Sequence, residues 1–186
     1  FYDASLQLRL RGLGCQNNLL LADATMLEQS LEAIPDAFAN AGRKYLIVPV
    51  TTTSCFHPKL ALRYGKAKAR LIVGSANVTS AGWAGNLELV SALSWQARDE
   101  DDDSEVHRTL FIRAHQWMSA LIAPTHDNKA AYKLELIRSQ SPWIDDSGLE
   151  GDTPFDLSDG SQIDLLLSDP TNANGLADRM LKLVDE

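Results

Sequence analysis

The apolar residues of this chain follow two rhythms. "NNLLLADA" and "RKYLIVPV" are short apolar runs bounded by polar residues, and each predicts a buried strand. Between them, "TMLEQSLEAIPDAFANAG" has helical spacing, with Asp23 or Thr25 placed to cap it and Pro35 placed to break or kink it. Strand, helix and strand in that order predict an α/β layer with parallel pairing. Upstream, "FYDASLQLRLRGLG" predicts a short helix ending at Gly12 or Gly14. Downstream, "HPKLALRYG" and "KARLIVGS" flank a turn at Gly65-Lys66 and predict a hairpin, and "LELVSALSW" a further strand. In "SEVHRTLFIRAHQWMSALIA", Val106, Leu110, Ile112, Trp117 and Leu121 recur at helical spacing, with Asp103 or Ser104 as the cap. Residues 139–161 are rich in Ser, Pro, Asp and Gly and read as a loop or linker.

Polar residues interrupt the hairpin in a particular way. Residues two apart in a strand share a face, so His57 and Lys59 point one way and Leu60 and Leu62 the other, into a core. On the next strand, Leu71 and Val73 lie on the face that Ser75 and Asn77 continue, at and just past the strand end. If the strands pair, these four polar groups converge at one rim of the sheet. Burying such groups without partners costs roughly 1–3 kcal/mol each, so the cluster predicts a site that meets a charged ligand. Taken singly, each has an ordinary explanation: a structural His, a solvated Lys, an Asn in a turn.

Composition narrows the classes. A chain of 186 residues with 45% hydrophobic and 23% charged residues is ordinary globular material, and no apolar run is long enough to span a bilayer. The chain opens on Phe1 with no signal-peptide pattern, which predicts either a processed chain or an excerpt of a longer one. Two cysteines, Cys15 and Cys55, give neither a disulfide framework nor a zinc pattern, which predicts a reducing, cytoplasmic setting. A net charge of −8 argues against binding nucleic acid with the whole surface. Against that background Arg63, Lys66, Lys68 and Arg70 cluster at the hairpin, and this local basicity fits a polyanionic substrate. Trp83 has two readings, a platform for stacking on a base and a small packed hydrophobe beside Gly82. "RDEDDDSEVH" reads as an exposed acidic loop ahead of a helix rather than a metal site, and His107, His115 and His126 as helix-surface or loop residues.

"HPK" followed by "GSANVTSAGWAGNLE" resembles the phospholipase D superfamily, whose signature is His-x-Lys, then Gly-Ser-x-Asn, then a downstream acidic residue. The resemblance covers residues 17–95 well and the flanks only in order of elements. Where the usual signature has an Asp, this chain has Tyr64, and loss of that Asp is familiar in the branch of metal-independent restriction endonucleases and helicase-associated nuclease domains, which this chain resembles. The resemblance implies an α/β fold with a central mixed β-sheet flanked by helices. It also implies a metal-independent phosphodiesterase, cutting DNA through a phosphohistidine in a restriction or phage-defence setting. His57 would then be the nucleophile, Lys59 and Asn77 would bind phosphate oxygens, Ser75 would add a hydroxyl donor, and Glu88 would hold the imidazole tautomer. Lys59, Asn77, Arg63, Lys66, Lys68 and Trp83 would contact substrate, with no metal and no cofactor.

Such sites use two His-x-Lys motifs, and this chain has one. "DLLLSDPTNANGLADRMLKLV" resembles "NLLLADATMLEQSLEAI", which predicts a first domain over 1–138, a linker over 139–161 and the start of a second repeat over 162–186. The alternative is a homodimer with two copies of His57 across a twofold interface. Two other functions compete: a catalytically inactive interaction or assembly module, permitted by Tyr64, and a phospholipid phosphodiesterase or transferase. The last would want an apolar entrance or interfacial helix, and none is visible in the sequence.

Overall fold

The computed structural model of the chain describes residues 4–52, 55–75, 87–98, 101–145, 154–168, 176, 178, 180 and 181. It opens with helix α1 (Ala4–Gly12), closed by a left-handed Gly14 (φ 81°). Strand β1 (Leu19–Asp23), helix α2 (Ala24–Ala33) and strand β2 (Leu46–Val50) follow, and β1 pairs with β2 in parallel. Asp23 caps α2 by accepting from the Met26 N–H at 3.0 Å, and Pro35 opens a separate 3₁₀ turn, so the predicted helix is broken there. The hairpin is formed by β3 (Leu60–Tyr64) and β4 (Lys68–Gly74), and β5 (Val90–Gln96) adds to β4, all antiparallel. Helix α3 (Ser104–Ile122), helix α4 (Asn128–Ser139) and the two-residue strands β6 (Phe155–Asp156) and β7 (Gln162–Ile163) complete the described elements.

The architecture is mixed α/β, as the strand and helix order predicts. One correction concerns the sheet. Among the described residues the strands form three small sheets, β1-β2, β3-β4-β5 and β6-β7, rather than one central mixed sheet. What joins them is α3, which is buried on more than one side. Its Leu110, Phe111 and Ala114 pack with Leu71, Ala69 and Trp95 of the antiparallel sheet, while Ile122 packs with Val48 of the parallel pair and Ala130 of α4. A helix lying between two sheets must be apolar on more than one stripe, and Ile112 and Leu121 are buried as well.

Two further expectations change. Asp103 occupies the N-cap position of α3 with its carbonyl accepting from the His107 N–H at 2.9 Å, but its side chain does not cap the helix; its carboxylate instead accepts from the Ser158 N–H at 2.7 Å and hydroxyl at 2.9 Å. That bond ties the acidic loop to the turn between β6 and β7. A strand over Leu165–Leu167, which the likeness of "DLLLSD" to "NLLLAD" implies, is not formed. These residues are irregular, and Leu165 is buried in the same core as Leu71 and Phe111, with Phe155, Ile163 and Leu167 packed around it. The described part of the expected linker is likewise structured, through a 3₁₀ turn at Pro142–Asp145 and through β6.

Candidate functional site

His57 lies where the chain leaves the parallel pair and enters the antiparallel sheet. The carboxyl ends of parallel strands are where open α/β layers bind ligands, and two anchors hold the chain there. Asp23, at the carboxyl end of β1, accepts from the Phe56 N–H at 3.0 Å, and its pKa is lowered, chiefly by the Met26 and Phe56 N–H groups. The Phe56 ring stacks on Trp117 of α3 at 6.3 Å between centroids, and Trp117 donates its indole N–H to the Ser168 carbonyl at 2.7 Å. Neither anchor stood out in the sequence. The available signal was Asp23 itself, an acid at the end of a parallel strand.

His57 is exposed, and its ring edge faces the Lys59 ammonium, with Nζ 2.5 Å from Nδ1 and 2.8 Å from Nε2. A neutral imidazole has one accepting nitrogen, so at most one of these two approaches is a hydrogen bond, and the ammonium lies against the ring between its two nitrogens. Lys59 also donates to the His57 carbonyl at 3.2 Å, and the Gly74 N–H donates to the Lys59 carbonyl at 3.1 Å, which carries the β3–β4 ladder up to the motif. Gly74 is needed at this point, because a Cβ there would stand 2.5 Å from the Leu89 carbonyl oxygen.

Ser75 and Glu88 meet on the other edge of β4. Ser75 donates its hydroxyl to Glu88 Oε2 at 2.5 Å, and the Leu89 N–H donates to Ser75 Oγ at 3.1 Å. The expected bond from the His57 ring to Glu88 is therefore not present. Sheet order explains why: β5 is separated from β3 by β4, so Glu88 starts two strand spacings, roughly 10 Å, from the His57 strand. The structure thus forms two pairs, His57–Lys59 and Ser75–Glu88, at one end of one sheet. Asn77 and Trp83 lie outside the described residues. Arg63, Lys66, Lys68 and Arg70 are all on the β3–β4 hairpin, and all four are exposed.

Tyr64, which stands where the signature has its Asp, points inward with Leu60 and Leu62. It meets His115 of α3, phenol oxygen to Nδ1, at 2.8 Å. His115 is buried, 6% exposed, which corrects its reading as a surface residue; a polar residue on a helix reads as surface unless a second layer covers it. His107 is partly buried on α3 and His126 is exposed with φ 52°. Burial raises the Tyr64 pKa, with Asp145 adding to it, so Tyr64 remains a phenol and donates. Nδ1 of His115 accepts, which leaves the proton on Nε2, toward Ser119 Oγ at 3.5 Å.

Burial also lowers the His115 pKa; Asp145 opposes the shift and Arg138 reinforces it. The folded state therefore favours the neutral ring, while the unfolded chain takes a proton near pH ~6.5. Stability from this group is full above that pH and is lost as pH falls toward the lowered folded value. Urea unfolding is expected to show a lower midpoint at about pH 5 than at about pH 8, with a smaller difference in His115→Asn. Equal pH dependence in parent and variant would contradict this.

Among the described residues, no group of three or more His, Cys, Asp or Glu is placed to hold a metal ion, and no helix is long and apolar enough to cross a membrane. No protein-family model, no curated protein and no solved structure matches this chain.

Proposed function

We propose that this chain is a phosphodiesterase module that cleaves DNA through a covalent intermediate on His57, without a metal ion. The observation that carries the reading is the direct contact between the His57 imidazole and the Lys59 ammonium at the open end of the sheet. In the free protein the Lys59 ammonium lies against the ring, beside both nitrogens. A phosphodiester offers the ammonium two non-bridging oxygens that share a negative charge, and Lys59 turns to them while a ring nitrogen faces phosphorus. The ring nitrogen then attacks phosphorus, a P–N bond forms, and the P–O bond to the leaving nucleoside breaks. Water attacks the phosphohistidine next, the P–N bond breaks and the imidazole is regenerated. Lys59 and Asn77 balance the charge that grows on the phosphoryl oxygens. Glu88 acts through Ser75, fixing the direction of its hydroxyl. The leaving oxygen needs a proton, and we assign that acid to a second imidazole, from a second copy of the chain or from a further repeat.

A second reading is a catalytically inactive interaction module, and it is favoured by the engagement of Glu88 with Ser75 rather than with His57. Incubation with plasmid, short duplex and single-stranded DNA, with and without excess EDTA, separates the two. Cleavage that persists in chelator is expected. Cleavage that vanishes with chelator and returns with magnesium would contradict the phosphohistidine mechanism, and binding without cleavage would favour the inactive module.

A further inference from the structure

We propose that the open face of the β3-β4-β5 sheet is the docking surface for the backbone of a nucleic-acid duplex, read without regard to sequence. The inference rests on the phosphodiesterase reading and gives the substrate its form and its path. Alternation fixes what this face carries. Leu60, Leu62, Tyr64, Ala69, Leu71, Val73, Leu93 and Trp95 point into the core, so the intervening residues point out. Three of these are cations, Arg63 of β3 and Lys68 and Arg70 of β4, and Lys59 stands immediately before β3. None of the residues of the three strands is Asp or Glu, in a chain with 25 acidic residues against 17 Lys and Arg. An acidic protein that keeps one sheet free of acids presents a surface complementary to a polyanion.

The pairing strengthens this. Arg63 stands directly opposite Arg70 across the β3–β4 ladder. Like charges in that position oppose sheet formation, and among the described residues neither guanidinium reaches a carboxylate. Arg63 is held by the Leu13 carbonyl at 2.9 Å and Arg70 by the Ser94 hydroxyl at 3.2 Å, so both are oriented while their charge remains uncompensated. From this pair to Lys59 is four residues along an extended strand, roughly 13 Å. A duplex carries one phosphate per about 3.4 Å of axis on each strand. A backbone whose scissile phosphate sits at Lys59 and His57 therefore has further phosphates at the arginine pair and at Lys68.

The uncharged outward residues select the form of nucleic acid. Between the cations stand Ala61, Ile72 and Ala92. The aromatic residues of these strands, Tyr64 and Trp95, both point into the core. Single-strand binders rely on outward aromatic rings on which bases stack, and among the described residues this face has none. Contacts limited to phosphates position a duplex and carry no sequence information.

The test is binding, measured by fluorescence anisotropy across a salt series. The probes are two unrelated duplexes of about 20 base pairs, a single strand of the same length, and vesicles containing phosphatidylserine. Three proteins are compared: the parent chain, His57→Ala, and the triple variant Arg63→Gln/Lys68→Gln/Arg70→Gln, with Arg70→Gln alone as a milder form. The parent and His57→Ala are expected to bind both duplexes equally, and more tightly than the single strand or vesicles. The triple variant is expected to lose at least about tenfold in affinity, and its log–log salt slope to fall by about 2.7, near 0.9 per lost phosphate contact. An unchanged slope in the triple variant, or preferred binding of single strands or vesicles, overturns the inference. Track-dependent duplex binding by a parent that never cleaves DNA sinks the nuclease reading alone. Cleavage with a track-independent slope sinks the docking surface alone.

Discussion

His57→Ala is expected to abolish phosphodiester cleavage and leave the fold intact. The side chain is exposed and its contacts are with Lys59, so its removal opens no cavity in the core. What it removes is the atom that, under the proposed function, bonds to phosphorus. Lys59→Ala and Asn77→Ala are each expected to lose transition-state stabilisation on the order of 3 kcal/mol, roughly a hundredfold in rate. Glu88→Gln is expected to be milder, since it weakens the orientation of Ser75 while leaving nucleophile and ammonium in place, and to slow turnover without abolishing binding. Single-turnover cleavage of a labelled duplex, with circular dichroism on each variant, measures both parts. His57→Ala cleaving as fast as the parent would contradict the assignment.

The second large effect falls on stability. Phe111 is fully buried on α3, packs under Leu71 and Trp95, and meets Trp143 edge to face at 6.4 Å. Trp143 in turn contacts Trp95 at 4.4 Å and donates its indole N–H to the Gly65 carbonyl at 2.8 Å, which fixes the hairpin turn from beneath. Phe111→Ala removes one ring of an aromatic group centred on Trp143, which also meets Tyr64 and Trp95. A buried Phe→Ala change costs about 3–5 kcal/mol, a large share of the ~5–15 kcal/mol that holds a domain of this size. Urea unfolding is expected to show that loss, with weakened near-UV circular dichroism from the tryptophans. A loss below about 1 kcal/mol would mean that Phe111 does not anchor the core.

The sequence exposes local patterns and hides contacts between distant segments. The hairpin was legible because Leu60, Leu62 and Tyr64 alternate against Ala69, Leu71 and Val73, and a half-buried sheet requires that alternation. Parallel pairing of β1 with β2 was legible because a helix separates two short apolar runs. Helix α4 was not singled out; of its residues Ala130 alone is buried, so it docks through a small side chain that makes little hydrophobic signal. His115 was misread because its cover comes from Tyr64, 51 residues away. The packing of Phe155 and Leu165 onto the main core was hidden for the same reason. At the site, spacing placed His57 and Lys59 on one face of a strand, whereas β3 begins only at Leu60 and the two meet in the segment that leads into it. The partner of Glu88 did not, because it depends on strand order, which no single strand's pattern reveals.

Everything proposed for function turns on a covalent bond between His57 and phosphorus. The most direct measurement is a rapid denaturing quench during cleavage of a labelled duplex in excess chelator, followed by peptide mapping by mass spectrometry. The account predicts a nucleotide adduct on the peptide bearing His57, labile in acid, stable in base and missing from His57→Ala. Cleavage that proceeds at full rate with no adduct on His57 at any time point would contradict it.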